Sequence, residues 1–301
     1  MSFKPNDENN NVPTLAKVWL SLYHAVPKMK LKGSSIDWGF TCACVIFFFV
    51  ARLTLQEILH SFGWPIGSPV TKDAAGNLTG AIFHTPNLVT VSFVLMRSVK
   101  VYNPLAVASD HPVWWQDVAD AIIQLCTGHM VCDTIVGLIL DRWIPGQGPK
   151  FDDEAWLFLT HHIISLLYLV STRLLKAGQQ SMLMCFLIGE VSNPTFCAYL
   201  VCQIAKTLDC CSGPKGMQVI RYIEILNSII YIPCRAIIGP IIGTHMSYLI
   251  LKNKVSSIPI VIRILWTMIM WGIAIGSIPY IISFYKDLVG HLSKEVMIQE
   301  L

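Results

Sequence analysis

About seven stretches of this chain are apolar over the roughly twenty residues that a helix needs to cross a hydrocarbon layer. They run from Asp37 to Leu59, Ile82 to Val101, Asp117 to Leu140, Glu154 to Leu175, Ser181 to Lys206, Met217 to Leu249 and Ile258 to Tyr285. Lipid offers no water to the peptide groups, so a spanning segment must satisfy its own backbone, which for these runs means an α-helix. Composition agrees: the chain is 14% charged, where an average soluble protein is about 25% charged. The expected fold is an all-α membrane protein with about seven transmembrane helices. A net charge of +3 with no basic tract argues against nucleic acid as a partner.

The pattern divides the chain into a polar N-terminal tail (1–36), a membrane domain (37–285) and a short C-terminal tail (286–301). The apolar run Val18 to Val26, interrupted by Ser21 and His24, reads as an interfacial helix and not as a secretory signal. Ile82 to Val101 is the weakest span, since its apolar core is short and Asn87 and Arg97 lie within it, and a re-entrant or interfacial segment is the alternative. Lys17, Lys28, Lys30, Lys32, Lys252 and Lys254 place the N-terminus in the cytosol. The sequon Asn77-Leu78-Thr79 would then be luminal and open to glycosylation. Pro194, Pro233, Pro240 and Pro279 should bend their helices. Of the ten cysteines, eight lie in apolar stretches as small hydrophobes. Cys210 and Cys211 adjoin a membrane boundary as buried or interfacial thiols, with S-acylation as the alternative.

Ionisable side chains at membrane depth are costly and mark function or a paired interior. The fourth stretch carries His161 and His162 side by side. The two project about 100° apart on a helix, so one of them is expected to be central. Ser165 shares the face of His161. His129 and Asp133, four apart, lie on one face within hydrogen-bond reach. Glu190, Ser192 and Asn193 stand just before Pro194, and Arg235 is a natural counter-ion for Glu190 or Asp133. His84, His111 and His245 lie near span ends and read as interfacial. No HxxxH or HExxH spacing supports a metal site, and no cofactor is expected.

An aspartate in one helix, a His-His pair in the next, then Glu-x-Ser-x-Pro and an arginine resembles the TLC (TRAM/LAG/CLN-type) domain. The motifs are HMVCDTIVGL around Asp133, LFLTHHIISLL around His161 and His162, and GEVSNPTF around Glu190. The resemblance covers roughly Asn87 to Tyr285. It implies six bent helices around a lipid-sized cavity, one peripheral helix, and a domain core of about 82–285. The family includes ceramide synthases, in which the histidine pair and aspartates are tied to acyl transfer from acyl-CoA. The short gap between His129 and Asp133, the absence of a homeobox-like insert, and Phe93 where many relatives carry histidine all favour a non-synthase member.

Three readings follow. The first is binding of a sphingolipid or phospholipid, with head-group contacts from His129, Glu190, Ser192, Asn193 and Arg235, in control of membrane lipid composition. The second is acyl transfer to a sphingoid or related amine, with His161 or His162 as base or nucleophile, Asp133 as its orienter and acyl-CoA as co-substrate. The third is a structural or cargo-escort protein whose polar groups join helices. The resemblance also implies the endoplasmic reticulum or another endomembrane, with the plasma membrane as alternative, and leaves room for a homodimer.

Overall fold

The computed structural model describes residues 12–30, 32, 36–144, 146–208, 213–253 and 258–299. The first eleven residues, Lys254, Cys210 and Cys211 lie outside them. Twelve α-helices follow one another: α1 (Thr14–Ala25), α2 (Gly39–Ser61), α3 (Pro69–Thr79), α4 (Thr85–Ser98), α5 (Val113–Cys132) and α6 (Asp153–Leu175), then α7 (Gln179–Glu190), α8 (Asn193–Ala205), α9 (Pro214–Ile232), α10 (Gly239–Lys252), α11 (Ile260–Gly276) and α12 (Ile278–Gln299). Wider π-helical turns join α3 to α4 at Gly80–His84 and α9 to α10 at Pro233–Ile238, and extend α5 at Asp133–Leu140. A two-residue hairpin, β1 (Trp143–Ile144) with β2 (Gly148–Pro149), caps one end.

Six of these helical runs are long and apolar enough to cross a membrane, and the bent pair α7 and α8 makes up to seven. The second run is Pro69–Ser98, thirteen residues earlier in its start than the apolar run Ile82 to Val101 suggested. Lys72, Asp73 and Asn77 hid this start, because their polarity lowers the hydropathy of a segment that is nonetheless packed. Thr71, Ala74, Ala75 and Thr79 are buried, against α2 and α8. Ser68 accepts a hydrogen bond from the Thr71 N–H, and Pro69 opens the helix, both features of a helix start. The run is a continuous helix and not a re-entrant loop.

The sequon is also corrected. Asn77 lies inside α3 with its amide donating to the Asp73 carbonyl at 3.0 Å, where a glycan acceptor needs an accessible loop. At the other end, α12 continues through most of the expected C-terminal tail.

The proline expectations meet structure in two ways. α7 and α8 bend by 40° at Val191–Ser192, just before Pro194. Pro233 opens a π turn, and Pro240 and Pro279 stand just after junctions within runs that remain single helices, Pro214–Lys252 and Ile260–His291.

Helix α5 is the axis of the bundle. Its residues Trp115, Ile122, Ile123 and Cys126 are fully enclosed. Gly128 lets α2 lie against it: a Cβ there would sit 2.5 Å from that of Cys44. Helix α1, over the predicted interfacial run, packs on α5 through Ala16, Trp19 and Tyr23, and the Tyr23 hydroxyl donates to Asp120 at 2.9 Å. Arg173, from the last turn of α6, reaches the same Asp120 at 2.7 Å. Gly178 turns the chain from α6 into α7 with φ of 79°, and any Cβ there would strike the Trp266 ring at 2.5 Å. No disulfide joins the eight described cysteines.

Candidate functional site

Each π turn sets a site residue. A π turn adds a residue to the helical circuit and re-aims the side chains around it, which is why such turns gather at functional sites. His84 ends the first, Asp133 begins the second, and Arg235 lies within the third. His84 and Asp133 face one space, and Arg235 faces a second one beside it.

The first space is a chamber of about 340 Å³, with Arg52, His84, His129, Asp133, His161 and His162 in its walls. A second, more apolar chamber of about 150 Å³ lies beside it, walled by Tyr168, Met182, Phe186, Met246, Met270 and Ile273 among others. Met130, His161, Glu190 and Asn193 belong to both.

The strongest electrostatic element is one that hydropathy concealed. Arg52, buried in the middle of α2, donates to Asp133 at 3.0 Å and to Asp141 at 2.9 Å. Asp141 also pairs with Lys72 at 3.2 Å. Two glycines make room for the guanidinium: a Cβ on Gly76 would lie 2.5 Å from it, and one on Gly137 3.0 Å. A single arginine within an apolar run was the signal for this site, by the same rule that singled out the histidines.

Asp133 faces His162, whose Nε2 lies 3.9 Å from its Oδ2. That is ion-pair reach and not a hydrogen bond. The other ring nitrogen, Nδ1, is 3.0 Å from the Thr134 hydroxyl. Both histidines of the pair wall the polar chamber, with ring centroids 5.9 Å apart. The 100° separation therefore does not exclude either, because the chamber is wide enough to take two neighbouring helix faces. His161 alone reaches the apolar chamber too, with Ser165 from the same face.

Two expected contacts are replaced by others. His129 makes no hydrogen bond to Asp133. The carboxylate is drawn to Arg52, and the His129 ring stacks on His84 with centroids 3.9 Å apart and a 27° tilt. Arg235 forms no ion pair with Glu190 or Asp133. Its guanidinium donates to the Gly189 carbonyl, to Ser192 at 3.3 Å and to Asn193 Oδ1 at 2.8 Å. The break after Glu190 leaves acceptors there without an intrahelical donor, and they draw the arginine. Asn193 completes the link by donating to Glu190 at 2.9 Å.

His84 is the other residue that its sequence position misplaced. It is buried, not interfacial, because its span starts thirteen residues earlier than the apolar run and carries it to mid-depth. Among the described residues, no three His, Cys, Asp or Glu side chains come together as metal ligands.

Long apolar helices around a polar chamber define a multi-pass integral membrane protein. The TLC domain family (TRAM, LAG1 and CLN8) has a model that matches residues 88–285, and the chain belongs to that family. Comparison with curated proteins and with solved structures gives no match. Arg52, Asp73 and His84 precede the matched segment, so part of the polar chamber's wall comes from outside it.

Proposed function

We propose that the joined chambers hold a membrane lipid, sphingolipid or phospholipid in the broad sense, and that the protein serves the control of membrane lipid composition. The observation that carries this is the shared wall. Met130, His161, Glu190 and Asn193 stand between a polar space and an apolar one, which is the layout an amphiphile requires. The head group would meet the imidazoles and Asn193, and a chain would lie along Phe186, Met246 and Met270. An endoplasmic reticulum or other endomembrane setting belongs to the same proposal and rests on the family.

A second reading is acyl transfer, favoured by the fixing of His162 between Thr134 and Asp133 beside His161 at the junction. An amine would attack the carbonyl of an acyl-CoA thioester. Its proton would pass to a histidine, the C–S bond would break, and the proton would leave with the thiol. Asp133 would stabilise the imidazolium, as a carboxylate does in a triad.

Native mass spectrometry of the purified protein tests both. Lipid should be retained by the natural chain and lost from Gly243→Trp, whose side chain fills the open wall of the apolar chamber. Labelled acyl-CoA with a long-chain amine should give amide if the second reading holds, and none from the His161→Ala/His162→Ala double variant. If Gly243→Trp and Glu190→Ala alter only thermal stability, the polar groups serve as helix glue and both readings fall.

A further inference from the structure

We infer that the polar chamber selects a lipid whose buried head is uncharged and hydroxyl-bearing, recognised by the imidazoles of His84, His129 and His161, and that it rejects phosphate. This deepens the lipid reading and rests on it. Two observations carry it independently.

The first is charge. The cations in the wall of the polar chamber are Arg52 and Arg142. Arg52 is held by Asp133 and Asp141. Arg142 is held by Asp152 at 3.2 Å and Asp73 at 4.0 Å. The same wall carries the carboxylates Asp73, Asp133 and Glu190. A phosphate entering here would meet carboxylates first and would have to break an existing pair to find a counter-ion. An unpaired charge in a low-dielectric site is strongly disfavoured. Arg235, in the wall of the apolar chamber, directs its donors to Gly189, Ser192 and Asn193 and faces Glu190 across Asn193.

The second is unused hydrogen-bonding capacity. His84 is 4% exposed, and its Nε2 is enclosed with no partner. Among the described residues, the ring nitrogens of the half-buried His129 and His161 have no protein hydrogen bond, whereas Nδ1 of His162 meets the Thr134 hydroxyl and its Nε2 lies in ion-pair reach of Asp133. Buried polar groups in folded proteins are nearly always paired, so the enclosed, unpaired His84, with two more unpaired imidazoles on the same chamber wall, points to a ligand that pairs them. An imidazole near neutral pH presents one donor and one acceptor. A hydroxyl does the same, and suits either tautomer. The stack of His84 on His129, with Phe48 tilted against His129 at 4.8 Å, holds the two rings in place before the ligand arrives.

The test uses the full-length protein in nanodiscs and a matched pair of probes, 1-oleoylglycerol and 1-oleoyl-lysophosphatidate, which share chain and glycerol and differ by the phosphate. Competition binding should show the glycerol lipid at least tenfold tighter. His84→Phe keeps a stacking ring and removes both nitrogens, so it should weaken 1-oleoylglycerol about tenfold with an unchanged unfolding midpoint. Equal or tighter binding of lysophosphatidate to the natural chain overturns the inference, with no variant needed. So does an unchanged 1-oleoylglycerol affinity in the His84→Phe/His129→Phe chain. If lysophosphatidate wins and Gly243→Trp still abolishes its binding, the head-group assignment alone fails. If Gly243→Trp leaves both affinities as they were, the lipid reading fails with it.

Discussion

Arg52 shows how one residue organises the polar interior. Its guanidinium closes on two carboxylates from the π turn that extends α5 and its end, and a fork of fixed donors suits that double duty better than a point charge. Removing it leaves Asp133 without its cation in a buried site, while Asp141 keeps Lys72. Arg52→Met should therefore cost about 3–5 kcal/mol, the usual penalty for breaking a buried pair from one side. Adding Asp133→Asn should recover part of that loss, read as the unfolding midpoints of the single and double variants. Strictly additive effects would show that the two do not interact. The histidine pair and the Glu190 motif were legible in the sequence, because an ionisable group in an apolar run stands out. Which groups pair was not. Asp133 takes Arg52 and not Arg235, since pairing depends on depth and azimuth across helices far apart in the chain.

At the scale of the element, irregular turns do the positioning. Three π turns and one 40° break bring His84, Asp133, Glu190 and Arg235 to the walls of two adjoining chambers. Prolines stand at three of these irregularities, Pro86, Pro194 and Pro233. The turn at Asp133–Leu140 has no such marker, because a π turn needs no special residue. Helix starts were clearer. Asp152 accepts from the Ala155 N–H at 2.8 Å and caps α6, the helix that carries both histidines. Asp152→Ala should cost about 1 kcal/mol and speed amide exchange in the first turn of α6. The bond from Ala155, aided by Arg142, holds the Asp152 carboxyl below the ordinary carboxylate range. A pKa lowered on folding stabilises the fold above the unfolded value of 3.8 and loses that effect as pH falls through the lower folded value. The difference between Asp152 and its alanine variant should thus be full at pH 7 and shrink on acidification below about 4. A difference that is flat over this range would remove the carboxylate from the cap.

For the whole molecule, the bent pair α7 and α8 counted as one span gives seven crossings, which with the lysine-rich N-terminal side in the cytosol would put the two ends on opposite faces. Selective permeabilisation should expose an N-terminal tag from the cytosol and leave a C-terminal one protected; protection of both or neither would refute seven crossings. Asn77 should carry no glycan in either orientation, because its amide is turned to the Asp73 carbonyl inside a packed helix. A mobility shift on deglycosylation would contradict that placement.

The apolar runs alone settled that this chain crosses a membrane as helices, since hydrocarbon leaves the backbone no other way to satisfy itself. Order and spacing of Asp133, the histidine pair and the Glu190 motif were enough for the family, because these are local in sequence. The start of the second span, the burial of His84, the partner of Asp133 and the existence of two joined chambers were decided only by tertiary packing. Each depends on contacts between residues distant along the chain, where a polar side chain facing inward lowers hydropathy just as one facing water does.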